Sequence, residues 1–177
     1  MTLNWILLAL TALLVLAAIQ DAVSMRISNL FSVAVVGLFG LWIVVHGFPD
    51  NGWENGVHFA IALAVGMGLF AMGWFGGGDA KLYASCALWF DFASSIVLLF
   101  SISMAGLILM LAMLVTRRFR KKRVHPNPFE DENVRKTMQM PYGVAIAAGT
   151  ILTIYWVGVN PSGLEAFDPT AVSVPLN

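Results

Sequence analysis

The sequence predicts an all-α, polytopic integral membrane protein with about six transmembrane helices. Three observations predict it. Of 177 residues, 59% are hydrophobic and only 11% are charged, against about 25% charged in soluble domains. The mean hydropathy is +0.80, and the apolar residues fall into runs of about span length. The charge is also unevenly placed: of 10 Lys and Arg residues, all but Arg26 and Lys81 lie between Arg117 and Lys136. The length suits one domain. A net charge of zero names no partner, and no nucleic acid is expected.

Each span is justified in turn. The first apolar run extends from about Leu3 to Ile19. No Lys or Arg precedes it, so it lacks the basic region of a cleavable signal and reads as a retained span. The second runs from about Ile27 to Val45, the third from Val57 to Trp74, and the last from Tyr142 to Val159. The stretch from Leu82 to Val115 is too long for one span and short for two. Charge decides the matter. By the positive-inside rule the basic loop at 116–140 faces the cytoplasm, and Arg26 and Lys81 belong on the same side. An even number of spans must then separate Lys81 from Arg117. Leu82–Val115 is therefore expected to be a hairpin of two short, tilted helices turning near Asp91. Residues 1–160 form the six-helix domain, and 161–177 are a short extracytoplasmic tail. Both termini lie outside.

Two carboxylates stand out. Asp21 closes the first apolar run, and Asp79 follows Gly76-Gly77-Gly78 at the end of the third. An ionisable group at membrane depth costs about 2.5–3.5 kcal/mol. Two spans separate the pair, so both fall on one face, and the basic loop makes that face cytoplasmic. Like charges held close do not both ionise readily, and the shared proton equips them as general acid and base for peptide hydrolysis by water. The three glycines, each costing about 1 kcal/mol in a helix, are expected to interrupt it. They leave the backbone open to an extended peptide. Asp21, Met25 and Asn29 are expected to share one helical stripe. Arg26 and Lys81 would favour the charged forms of the aspartates, although Lys81 reads better as a topology anchor.

The plainer readings are weighed residue by residue. A lone aspartate beside a basic residue at a helix end is usually a solvated charge, and only their placement on one face lifts Asp21 and Asp79 above that reading. Asp50, Glu54 and Asp91 read as outer surface charge. Cys86, the single cysteine, reads as packing. His46, His58 and His125 lack ligand spacing, and no metal or organic cofactor is implied. Gly37, Gly40 and the Gly66-Met67-Gly68 group read as sites of close helix packing. The run from Arg117 to Arg123 reads as a topology signal in contact with lipid.

Three segments resemble the type IV prepilin peptidases, the bacterial branch of the Gly-x-Gly-Asp membrane aspartyl proteases. Asp21 to Asn29 is similar to the family's first-aspartate segment, with Ser28 where proline is common. Gly76-Gly77-Gly78-Asp79-Ala80-Lys81-Leu82 holds every fixed position of Gly-x-Gly-Asp-x-Lys-Leu. Met140 to Ala147 looks like the Pro-x-Gly-x-Ala entry to the last span. The resemblance implies Asp21 and Asp79 as catalytic residues, with Gly76, Gly77, Gly78, Lys81, Arg26 and Asn29 supporting or binding substrate. It implies a prepilin or pseudopilin partner, cut on the cytoplasmic side of the bacterial inner membrane, just before its apolar helix. Larger members carry two Cys-x-x-Cys pairs associated with N-methylation, which is not carried over here. The short form resembles the peptidases serving Flp/Tad pili. The competing readings are a small proton-coupled transporter using the same aspartates and a non-catalytic subunit of a pilus or secretion machine.

Overall fold

The structure is a computed structural model that describes residues 5–48, 52–119 and 141–157. Among them every regular element is a helix: α1 Trp5–Ser24, α2 Asn29–His46, α3 Gly52–Ala71, α4 Gly77–Ala87, α5 Phe92–Phe119 and α6 Tyr142–Trp156. Four of these (α1, α2, α3, and α5 over Phe92–Thr116) are long and apolar enough to cross a membrane. Large apolar side chains cover their outer faces, with Val23 82% and Val44 81% exposed. A helix that is apolar all round belongs in lipid or a core. The chain is a polytopic, all-α membrane protein. The basic loop beyond Phe119, His125, Asp50 and the C-terminal tail lie outside the described residues.

The short helix α4 sits at the centre, packed by α2, α3 and α6, while α6 also holds α1 and α5. Its sequence explains this position. Ala80, Leu82, Ala84, Ser85, Cys86 and Ala87 are all buried, and small side chains let three neighbours approach at once. A Cβ on Gly66 of α3 would lie 3.0 Å from the Ala80 Cβ, and one on Gly149 of α6 would lie 2.5 Å from the Ile102 Cα of α5. Gly66 is thus a close-packing glycine, as expected. Gly37, Gly40 and Gly68 are not, because a Cβ there would meet nothing within 4 Å; they face outward. Cys86 is fully buried in the core, in keeping with a packing role.

The stretch from Leu82 to Val115 does turn near Asp91, but its arms are unequal. α4 has 11 residues and α5 has 28, so the expectation of two short helices is corrected. At about 1.5 Å per residue, α4 covers about half of a 30 Å hydrocarbon core. A break at membrane depth is tolerated only where protein satisfies the freed backbone groups, and α3 does so here. Asn55 Nδ2 donates to the Leu88 carbonyl (3.0 Å), and His58 Nδ1 pairs with the Phe90 carbonyl (3.0 Å). Asp91 Oδ1 accepts from Ser94 N (2.8 Å), capping α5. Asp91 is therefore a half-buried helix cap and not the free surface charge expected of it. Trp89 and Phe90 plug the turn, fully buried, with Trp89 Nε1 donating to the Val35 carbonyl of α2 (3.3 Å).

Candidate active site

Four chain segments converge at one end of the bundle. The first is the end of α1. Ser24 Oγ donates back to the Gln20 carbonyl (2.6 Å), and Met25 takes a left-handed φ of 53°, which stops the helix. Ser28 is extended and its side chain accepts from Leu30 N, capping α2. Its own N–H donates to Gln20 Oε1 (3.0 Å). The expected helical stripe of Asp21, Met25 and Asn29 is therefore broken: Asp21 ends one helix and Asn29 begins the next.

The third helix closes with Gly73 at a φ of 75°, and the chain enters α4 through Gly76, an extended cap residue (φ −74°, ψ 138°). Gly77 and Gly78 are helical, so the expectation that all three glycines interrupt the helix is corrected. First-turn N–H groups have no intrahelical partner in any case, and a glycine there gives up less than at mid-helix. Its missing side chain is used for packing. A Cβ on Gly77 would lie 3.2 Å from the Phe70 ring, one on Gly78 would lie 3.1 Å from the Ile27 carbonyl oxygen, and one on Gly76 would strike the Asp79 carboxyl. The glycine run thus seats α4 against α3 and the α1–α2 link.

Asp21 is 4% exposed, and its Oδ2 accepts from the Gly143 N–H at the start of α6 (2.8 Å). The Val144 N–H also bears on this carboxyl. Asp79, in the first turn of α4, is half-buried. Burial, and secondly the charge of Asp21, push its carboxyl up to about 7. The two carboxyls therefore lie close enough to influence each other's titration. Lys81 Nζ donates to Asn29 Oδ1 (3.2 Å), tying α4 to α2. Arg26 is exposed. Among the described residues neither base forms an ion pair with either aspartate. Beside this end an apolar groove of about 700 Å³ runs between α3 and α5, with Phe75, Tyr83 and Tyr142 at the aspartate end and His58 and Phe92 at the other.

The family model of the type IV leader peptidases matches residues 8–111, more than half of the chain. The chain belongs to the type IV leader peptidase family. The match takes in Asp21 and the whole Gly76–Leu82 segment and stops short of α6. Comparison with curated proteins and with solved structures gives no significant match. Membership implies a protease acting on prepilin-type substrates in general.

The leader-peptidase motifs did not reveal everything at this end. The Gly143 N–H on Asp21 was missed, although Pro141-Tyr142-Gly143 marked the entry to the last helix. Asn55 and His58, which hold the far end of α4, were missed as well. Their signal was present, since the two are polar side chains one turn apart at the entry to an apolar run.

Proposed function

We propose that this protein is a prepilin leader peptidase: an aspartyl endopeptidase that removes the short basic leader of a prepilin or pseudopilin, of the Flp/Tad type, at the cytoplasmic face of a bacterial inner membrane. The observation that carries the reading is the meeting of Asp21 and Asp79, from two different helices, at the end of the bundle to which α5 returns. In a chain of this family, a coupled carboxyl pair without an attached cation is suited to share one proton. One carboxylate takes a proton from water as the oxygen attacks the scissile carbonyl, and the other carboxyl protonates the carbonyl oxygen. Gly76, Gly77 and Gly78 hold Asp79 in register against the α1–α2 link, and Lys81 with Asn29 braces the same turn. Arg26 is exposed at the surface, where it serves as a topology anchor beside the membrane lipid. The groove between α3 and α5, with Tyr83 and Tyr142 in its lining, would receive the substrate's apolar helix. No metal or organic cofactor enters this mechanism.

The test is direct. The protein purified in detergent is incubated with a prepilin, and mass spectrometry locates the cut. Cleavage after the glycine just before the apolar helix is the expected result. An intact prepilin after prolonged incubation, with the peptidase folded, would leave the transporter or assembly-subunit reading in its place.

A further inference from the structure

We propose that the N-terminus of α6, through the Gly143 N–H, is the positioning element for Asp21 and makes it the ionised member of the pair, and so the general base. This deepens the peptidase reading and rests on it. Three features of the geometry carry the inference. The Gly143 N–H points at Asp21 Oδ2 from 2.8 Å, whereas among the described residues no hydrogen bond reaches the Asp79 carboxyl. A carboxylate that accepts a backbone N–H at a helix N-terminus is stabilised in its charged form. Residue 143 must also lack a side chain: a Cβ there would lie 2.9 Å from Asp21 Oδ2 and would strike Ile27 Cδ1. Finally, α6 is anchored along its length by its packing on α1 and α5, so its first turn is a rigid donor rather than a loose one.

The roles then divide. The Asp21 carboxylate takes one proton from water while the water oxygen bonds to the scissile carbon. Asp79 gives its proton to the carbonyl oxygen, forming a neutral gem-diol. In the second half the C–N bond breaks, Asp21 returns its proton to the departing amine, and Asp79 recovers a proton from a gem-diol hydroxyl. Water is consumed, and both carboxyls finish as they began.

Among the residues whose side chains are described, the charged and titratable groups at this end of the bundle, besides Asp21, are Asp79, Lys81 and Tyr83 on α4, Arg26 on the α1–α2 link, and Tyr142 on α6; the basic run from Arg117 begins on the same side. Two measurements test the proposal. In the amide NMR spectrum of the full-length protein in detergent, the Gly143 proton shift should titrate with pH in the wild type. It should still titrate in Asp79→Asn and lose most of its amplitude in Asp21→Asn. A Gly143 shift that does not titrate in the wild type, or that titrates equally in Asp21→Asn, overturns the proposal. This readout needs no substrate, so it stands apart from any failure of the peptidase reading. The second is the pH profile of prepilin cleavage. Gly143→Ala should slow cleavage at least tenfold and move the acidic limb to higher pH. The added Ile27→Ala change, which removes the collision with Ile27 but not the one with Asp21, should not restore it. Recovery in the double variant to the level of Ile27→Ala alone would reduce Gly143 to a packing residue.

Discussion

Asp79 carries an unusual burden for a carboxyl: it is half-buried, and burial, with the charge of Asp21 second, raises its titration to about 7. The sign of the consequence follows from linkage. A carboxyl whose folded value lies above its unfolded one binds its proton more tightly when folded. Its contribution to stability is fully present below the unfolded value of 3.8 and is lost as pH rises through about 7. Asp79→Asn should therefore match the wild type in thermal stability near pH 3 and exceed it near pH 9; the melting temperature in detergent at the two values checks this. Activity should follow the same group, with the basic limb of the cleavage profile falling near 7, because an ionised Asp79 has no proton to give. Both aspartates stand out in the sequence because an ionised group at a membrane edge is costly and conspicuous. Their partners do not. A backbone N–H such as that of Gly143 leaves no mark on residue type beyond the absence of a side chain.

Among the elements, α4 is the one that most needed the structure. Its motif, its glycines and the turn near Asp91 were all legible, but its length was not. Hydropathy does not report that a helix ends where a neighbour supplies donors to its last carbonyls. Asn55 does so for Leu88, and Asn55→Leu should leave that buried carbonyl unpaired. The expected loss is about 1–3 kcal/mol of stability, read as a lowered melting temperature; an unchanged value would mean that the turn is held by Trp89 and Phe90 alone. The groove between α3 and α5 makes a separate prediction. A Cβ on Gly106 would meet only the Ala145 Cβ, at 3.7 Å, so Gly106→Phe should fold and fill the groove. Cleavage of a prepilin should then show a raised KM with the protein still inserted. An unaltered KM would move the substrate helix elsewhere.

At the scale of the whole molecule, α5 and α6 pack antiparallel. Gly149 lies against Ile102 and Gly106 against Ala145, so the start of α6, with Asp21 beside it, lies level with Met110, and the end of α5 projects past it. The basic run that begins at Arg117 thus leaves the bundle on the side of the two aspartates. The distribution of charge leads to the expectation of one shared face, because lysine and arginine favour the cytoplasmic side whatever the helix packing. What charge could not report is depth. The apolar part of α5 runs on from Met110 to Thr116, about 9 Å at helical rise, beyond the start of α6. The carboxyl pair is therefore recessed below the level at which the basic run starts. A cysteine placed at 120–136 in a Cys86→Ser background should react with an impermeant maleimide only after the cells are opened. Labelling in intact cells would invert the orientation.

The central claim is that Asp21 and Asp79 work as one catalytic unit, and the most direct measurement is single-turnover cleavage of a prepilin by the purified wild type, Asp21→Asn and Asp79→Asn. Both asparagine variants should remain folded and inserted, with each losing cleavage by several orders of magnitude. Members of one catalytic unit fail together, as in other enzymes whose residues act jointly. Full processing by either variant would contradict the account.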